Sequence, residues 1–303
     1  MLLNFKAKNY KSFKDEFVFS MIPAPKQKEL EYSILKQKIG AKTHKAICSA
    51  VLYGPNASGK TNIIGAMDAF KNIVLRGNIR NSTNQNAPDA AAHTLELIPN
   101  NTASENEPVM FSISFIEKNM LIEYAVSADI GKFLDAGYNR KIVFEQLKIN
   151  NEIIFSRENQ KLGFGSFAAI RNLMVNEFEN NKESAISLSE NNLNDEELFL
   201  ANGFKTMFST KLSGIIADWL ENKFMVIFRA DSIQLIRKFA DPKKKSVYVE
   251  KTLNEAAGIF GVTSNVLGYP IEDKETEASL HSILKSFDNS KTVMMKADIF
   301  ESY

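Results

Sequence analysis

Apolar and polar residues alternate along several separated stretches of the chain, and this alternation defines the first set of elements. Leu3, Phe5 and Ala7 alternate with Asn4, Lys6 and Lys8, and Phe17, Phe19 and Met21 repeat the pattern after the polar and aromatic turn 9–13. A period of two predicts strands with one buried face. The same period returns in Val109, Phe111, Ile113 and Phe115, then in Ile122, Tyr124, Val126 and Ala128 beyond the turn Glu117-Lys118-Asn119. Residues 142–149 and 153–157 form a further candidate pair around Asn150-Asn151. Residues 46–53 (AICSAVLY) are a continuous apolar run, which predicts a buried central strand, and Ile63, Met67, Phe70 and Val74 follow at helical spacing with Gly77 as the stop.

From about residue 160 the period becomes helical. Helices are expected over 167–178, 196–208 and 212–220, with the Asn/Ser/Glu-rich stretch 179–195 as a separator, and shorter ones over 253–260 and 280–287. Leu212, Ile215, Ile216, Trp219 and Leu220 recur as one apolar stripe, the face of a core helix. The charged residues 26–45 read as a solvated excursion, and 77–108 as a surface loop. The run Asp241-Pro242-Lys243-Lys244-Lys245 reads as a solvated basic turn.

Composition changes this picture little. The chain has 303 residues, 44% hydrophobic and 24% charged, enough for one large or two medium domains. Lys+Arg 37 against Asp+Glu 36 leaves a net charge of +1, so no global field points to nucleic acid or a membrane, although a local basic patch stays open. Cys48 is the single cysteine and lies in the apolar run, where it is expected as a small buried core residue. No apolar run approaches the roughly 20 residues of a membrane span, and Met1 begins a strand pattern without a signal peptide, so a cytoplasmic location is expected. His44, His93 and His281 lack metal-ligand spacing.

The candidate chemistry lies between the apolar run and the helix. Gly54-Pro55-Asn56-Ala57-Ser58-Gly59-Lys60-Thr61 is a complete G-x-x-x-x-G-K-[ST] phosphate loop. Its glycines let successive backbone N–H groups face phosphate oxygens, and the helix adds the positive end of its dipole. Lys60 would bridge the β- and γ-phosphates of ATP, and the Thr61 hydroxyl would complete the shell of a Mg²⁺ ion. No Asn-Lys-x-Asp motif is present to read guanine.

The N-terminal strand, the Asn9-Tyr10-Lys11-Ser12-Phe13 turn, the second strand, and the phosphate loop with Asn56 inside it and Asn62 after it together resemble the ABC-type ATPase heads of the RecF, SMC and OLD group. They are most similar to the stand-alone prokaryotic AAA-family ATPases of anti-phage and toxin–antitoxin operons. The resemblance implies an α/β P-loop NTPase fold, with a β-rich first lobe over 1–158 and a mostly helical inserted lobe over 159–303. It also implies adenine contacts near Ser12 and Phe13, against the alternative that this is a hairpin turn with its aromatic ring tucked into the core. A γ-phosphate sensor would be Glu145 or Gln146, against the alternative of a solvent-facing strand residue.

Such an ATPase also needs a signature helix and an acidic strand end. Leu212-Ser213-Gly214, and 225–228 followed by Asp231, imitate these; the apolar stripe and the absence of a following glutamate argue against both. Residues 299–303 resemble the Phe-Glu-Ser segment that leads into the signature, so the resemblance covers about the first two thirds of the family's length. The expected function is ATP binding with Mg²⁺ by the ATPase subunit of a phage-defence or stress system, as a homodimer or with an effector, and with little turnover by this chain alone. The alternatives are a non-hydrolysing nucleotide-binding module and a DNA-processing ATPase of OLD or RecF type.

Overall fold

The computed structural model describes residues 1–25, 31–55, 58–80, 97–102, 106–132, 138–176 and 178–226, and four strand segments beyond residue 246. Contacts divide the chain into two units: Met1–Ser82 with Thr94–Phe228, and Thr83–His93 with Arg229–Tyr303. The helical segments that follow the strands fall in the first unit.

The first unit is mixed α/β, built on a seven-stranded antiparallel sheet. Its strands are β1 (Leu2–Lys8), β2 (Phe17–Ser20), β5 (Val109–Glu117), β6 (Met120–Asp129), β7 (Lys141–Ile149), β8 (Glu152–Glu158) and β9 (Lys161–Phe164), in the order β2-β1-β5-β6-β7-β8-β9. These are the strands expected from the period of two, with β9 in addition. Two of the hairpins turn on residue pairs with positive φ, Lys118-Asn119 and Asn150-Asn151. That geometry gives a two-residue connection whose twist matches the flanking strands, and asparagine tolerates it well.

One face of the sheet is covered by helices. In α1 (Lys60–Arg76), Phe70 packs against Phe5, Phe111 and Tyr124, with ring centroids 5.8, 6.2 and 6.1 Å away. Trp219 stacks on Phe115 at 3.8 Å, and Phe155 meets Phe199 and Phe204. A register shift between Leu2 and Asn4 in β1 puts Leu3 into a separate small cluster with Ala46, Ile116 and Leu121, against which Ile39 packs. Ile39 and Ala46 belong to a two-stranded sheet, β3 (Ile34–Ile39) with β4 (Lys42–Ile47). The stretch expected as a solvated excursion therefore ends in a docked hairpin.

The helical region differs from its expected boundaries. Among the described residues of 167–176 there is the short 3-10 turn Ala168–Leu173, whereas the expected separator forms α2 (Phe178–Asn191). Its Asn and Ser content is poor for an isolated helix, and docking of Phe178, Ala185 and Ile186 on the core compensates. Residues 196–208 reduce to Leu200–Phe204 and Lys205–Met207. The apolar stripe is met by α3 (Thr210–Asp218) and its continuation Trp219–Lys223, in which Leu212, Ile216, Trp219 and Leu220 are buried. Ser209 caps α3, accepting from the Leu212 N–H at 3.0 Å.

The described part of the second unit is an antiparallel sheet of β10 (Val247–Val249), β11 (Asn265–Pro270), β12 (His281–Ser286) and β13 (Thr292–Lys296), in that order. Where a helix was expected over 280–287 there is a strand, paired on both sides by β11 and β13. An apolar run this short does not distinguish the two states; its neighbours decide. The helix expected over 253–260, the basic turn 241–245, Asp231 and the segment 299–303 lie outside the described residues. So does most of the loop expected over 77–108. Among the described residues, no helix is long and apolar enough to cross a membrane.

Candidate phosphate-binding site

The loop opens on a segment that departs from the expected buried strand. β4 ends at Ile47, and residues 48–53 form no strand; Val51, Leu52 and Tyr53 are 83%, 46% and 91% exposed. Cys48 is exposed as well, correcting its expected place in the core. Apolar composition favours burial, but an extended segment is held in a sheet only where a neighbour pairs its backbone. Here the ladder with β3 ends one step later, at the bond from the Cys48 N–H to Ser33 O, and no other described strand lies alongside.

At the end of the loop the chain passes into α1. Gly59 takes a left-handed φ of 88° and stands at the N-cap of α1, with no side chain capping the helix. The first N–H groups of a helix have no intrahelical acceptor, so this end offers donors and a partial positive charge to an anion. The Lys60 ammonium folds back over the loop and donates to Gly54 O at 2.8 Å, Pro55 O at 2.6 Å and Ser58 Oγ at 3.3 Å. Thr61 is exposed on the first turn of α1. Asn56 and Ala57 lie outside the described residues.

The structure brings the first turn of the chain to this junction. Asn62 Nδ2 donates to Ser12 Oγ at 2.7 Å. Phe13 packs on Phe17, with centroids 4.4 Å apart, and borders Gly59 so closely that a Cβ there would lie 2.9 Å from both Phe13 Cζ and Ser12 Oγ. Glycine at 59 is thus required twice, by its φ and by this approach. Ser12 is exposed and Phe13 half-buried, so the turn is neither wholly in the core nor free of it.

The anchors of this turn were not singled out by the sequence pattern. Asn9, at φ 53° and buried, donates through Nδ2 to Glu107 O at 2.6 Å and accepts from the Asn100 N–H at 3.2 Å. Asn100 Nδ2 donates to Lys11 O at 2.7 Å, and the Lys11 N–H donates to Ile98 O. Tyr10 is fully buried against Phe111. The signal available was the type of residue: a buried asparagine satisfies the backbone of a tight turn and accepts the left-handed conformation.

Glu145, the candidate sensor, lies elsewhere in the chemistry. It is fully buried and accepts from the backbone N–H of Phe199 at 2.7 Å, the N–H of Leu200 at 2.8 Å and Tyr124 Oη at 2.9 Å. Arg157, also fully buried, is 4.0 Å away and donates to the carbonyls of Asn159, Asn194 and Glu197. Burial pushes the Glu145 carboxyl above its ordinary range, while the two backbone donors, Arg157 and Tyr124 pull it back. Burial likewise lowers Arg157 and raises Tyr124. Glu145 is therefore an internal anchor joining β7 to residues 198–200, neither solvent-facing nor open to a phosphate. Gln146 is half-buried on β7, opposite Ala125 and Ser156.

Ser213, the middle residue of the signature-like triplet, is buried and donates to Leu200 O at 3.1 Å, as befits a core helix. Among the described residues, no group of three or more His, Cys, Asp or Glu side chains is gathered as a metal site. Compared with protein-family profiles, characterised proteins and solved structures, the chain gives no match.

Proposed function

We propose that the chain binds Mg²⁺-ATP at residues 54–62, as a P-loop nucleotide-binding protein of the ABC-ATPase type. The observation that carries this is the junction at Gly59: a left-handed glycine leads into a 17-residue helix, and the Lys60 ammonium is held over the loop by two carbonyls and a hydroxyl. A lysine anchored to loop oxygens sits where an anion seated on the helix N-terminus would meet it, exchanging weak neutral acceptors for a charged one. The Thr61 hydroxyl is an oxygen donor of the kind Mg²⁺ takes, with phosphate oxygens and water completing the shell. Ser12 and Phe13, bonded and packed against the same junction, border the nucleotide on the side of its base.

In this reading the chain acts as the ATPase or nucleotide-sensing subunit of a prokaryotic defence or stress system, with a second copy or an effector as partner. Fast turnover would need a carboxylate placed to orient water, and none of the residues named at the junction supplies one. The test is calorimetric titration of the chain with ATP and Mg²⁺. The wild-type chain is expected to bind, and Lys60→Ala to lose binding by more than tenfold with its thermal unfolding unchanged. Equal affinity in the two proteins overturns the assignment. Sustained phosphate release that Lys60→Ala abolishes would overturn the low-turnover part alone.

A further inference from the structure

The hairpin β3–β4 carries a charge pattern that nucleotide binding does not use. Its register sets Lys36 opposite Lys45, Lys38 opposite Thr43, Gln37 opposite His44 and Leu35 opposite Ala46. Side chains alternate between the faces of a strand, so Lys36, Lys38, Thr43 and Lys45 share one face, and all four are exposed. The other face is the docked one: Ile39 packs on the Leu3, Ala46, Ile116 and Leu121 cluster, and Gln37 Nε2 donates to Asn119 Oδ1 at 3.2 Å. Lys42, beside the turn, is exposed too.

Residues 32–47 hold four lysines and no carboxylate. Among the described residues, the ion pair these lysines make is Lys36 with Glu31 at 3.9 Å, with Glu31 74% exposed. A pair so exposed and long contributes little. Like charges directly opposite one another weaken a two-stranded sheet, so Lys36 across from Lys45 opposes the folding of the hairpin that carries it. Tyr32, on the turn entering β3, is 85% exposed and presents an aromatic ring beside the same strand.

We propose that the lysine face of the β3–β4 hairpin, with Tyr32 at its edge, is a docking surface for the phosphate backbone of a nucleic acid. A net charge of +1 for the whole chain conceals the patch, because residues 32–47 themselves hold no carboxylate to offset their lysines. Lys36 and Lys38 stand about 6.7 Å apart along the strand and Lys45 one strand away, so their flexible stems reach separate phosphates. A two-stranded ribbon is also narrow enough to lie along a DNA groove. Nothing on this face reads base edges, so binding is independent of sequence, while Tyr32 adds stacking with an unpaired base.

The experiment is fluorescence anisotropy of the full chain with a labelled mixed-sequence 20-mer, duplex and single-stranded, without nucleotide and over a salt series. Three phosphate contacts predict that affinity for the duplex falls roughly 40-fold between 50 and 200 mM salt. The variant Lys36→Gln/Lys38→Gln/Lys45→Gln is expected to bind at least tenfold more weakly at 50 mM salt, with a flattened salt slope. It should melt no lower than wild type, since a like-charge pair has been removed. The variant Lys161→Gln/Lys205→Gln/Lys211→Gln, which removes the same charge elsewhere, should bind as wild type.

No binding by the wild-type chain, or equal losses in the two triple variants, overturns the proposal. So does tighter, hairpin-dependent binding to vesicles containing anionic lipid than to either oligonucleotide. Lys60→Ala should leave oligonucleotide binding intact, so failure at the hairpin and failure at the phosphate loop are read separately.

Discussion

Replacing Glu145 by glutamine changes no volume and tests whether the buried carboxylate holds the 194–200 segment to the sheet. The carboxylate receives three donors, the N–H groups of Phe199 and Leu200 and Tyr124 Oη, each within 2.9 Å, and faces Arg157 at 4.0 Å. An amide has one acceptor oxygen, so at least one backbone N–H would face an NH₂ group, and Arg157 would lose its counter-charge in a site without water access. Breaking a buried pair on one side costs about 3–5 kcal/mol. For a unit of this size that lowers the melting temperature by roughly 6–20 °C. The assay is thermal unfolding followed by far-UV circular dichroism and by the fluorescence of Trp219, the only tryptophan, which stacks on Phe115 of the same sheet. Removing both charges, as in Glu145→Leu/Arg157→Met, should not recover the loss, because two backbone N–H groups and the Tyr124 hydroxyl then lack their acceptor and the carbonyls of Asn159, Asn194 and Glu197 lose their donor. A shift below about 2 °C in the single variant, less than the smallest effect expected for one kcal/mol, would refute the anchoring role.

Further outcomes follow from individual sites. Gly77 ends α1 at φ 72°, and a Cβ there would lie 2.7 Å from Ala201 Cβ, so Gly77→Ala should cost more than the roughly 1–2 kcal/mol of the left-handed conformation alone, seen as a lower urea midpoint. Burial pushes the Asp129 carboxyl up, but bonds from Tyr138, the Gly131 N–H and Asn106, with Lys141 nearby, together hold it below its ordinary value. A depressed folded-state pKa stabilises above the unfolded value and is lost as pH falls through the folded one. Asp129→Asn should therefore flatten the loss of melting temperature below about pH 4 and leave a smaller difference between pH 7 and pH 2 than in wild type. In competition binding ATP should displace a labelled nucleotide at least as well as GTP; a clear preference for GTP would count against placing the base near Ser12 and Phe13.

The sequence by itself determined the local features. Alternation fixed β1, β2 and β5 to β8 because side-chain direction along a strand has a period of two and depends on no distant residue. The two asparagine-bearing turns and the Gly59 and Gly77 ends of α1 were legible for the same reason, since a positive φ is a property of one residue. The phosphate-loop letters were equally local. What the pattern could not carry was the identity of neighbours. Residues 48–53 are apolar enough for a core, yet they stay exposed because no described strand pairs with them. Residues 281–286 form a strand because β11 and β13 flank them, and 178–191 form a helix because the core receives three of their side chains. Glu145 looked like a residue for solvent or phosphate until two backbone N–H groups and an arginine, 12 to 55 positions away, enclosed it. Lys36, Lys38 and Lys45 became one face only when the register set Lys36 against Lys45. Burial, pairing and charge clustering are relations between distant positions, and only the tertiary structure decides them.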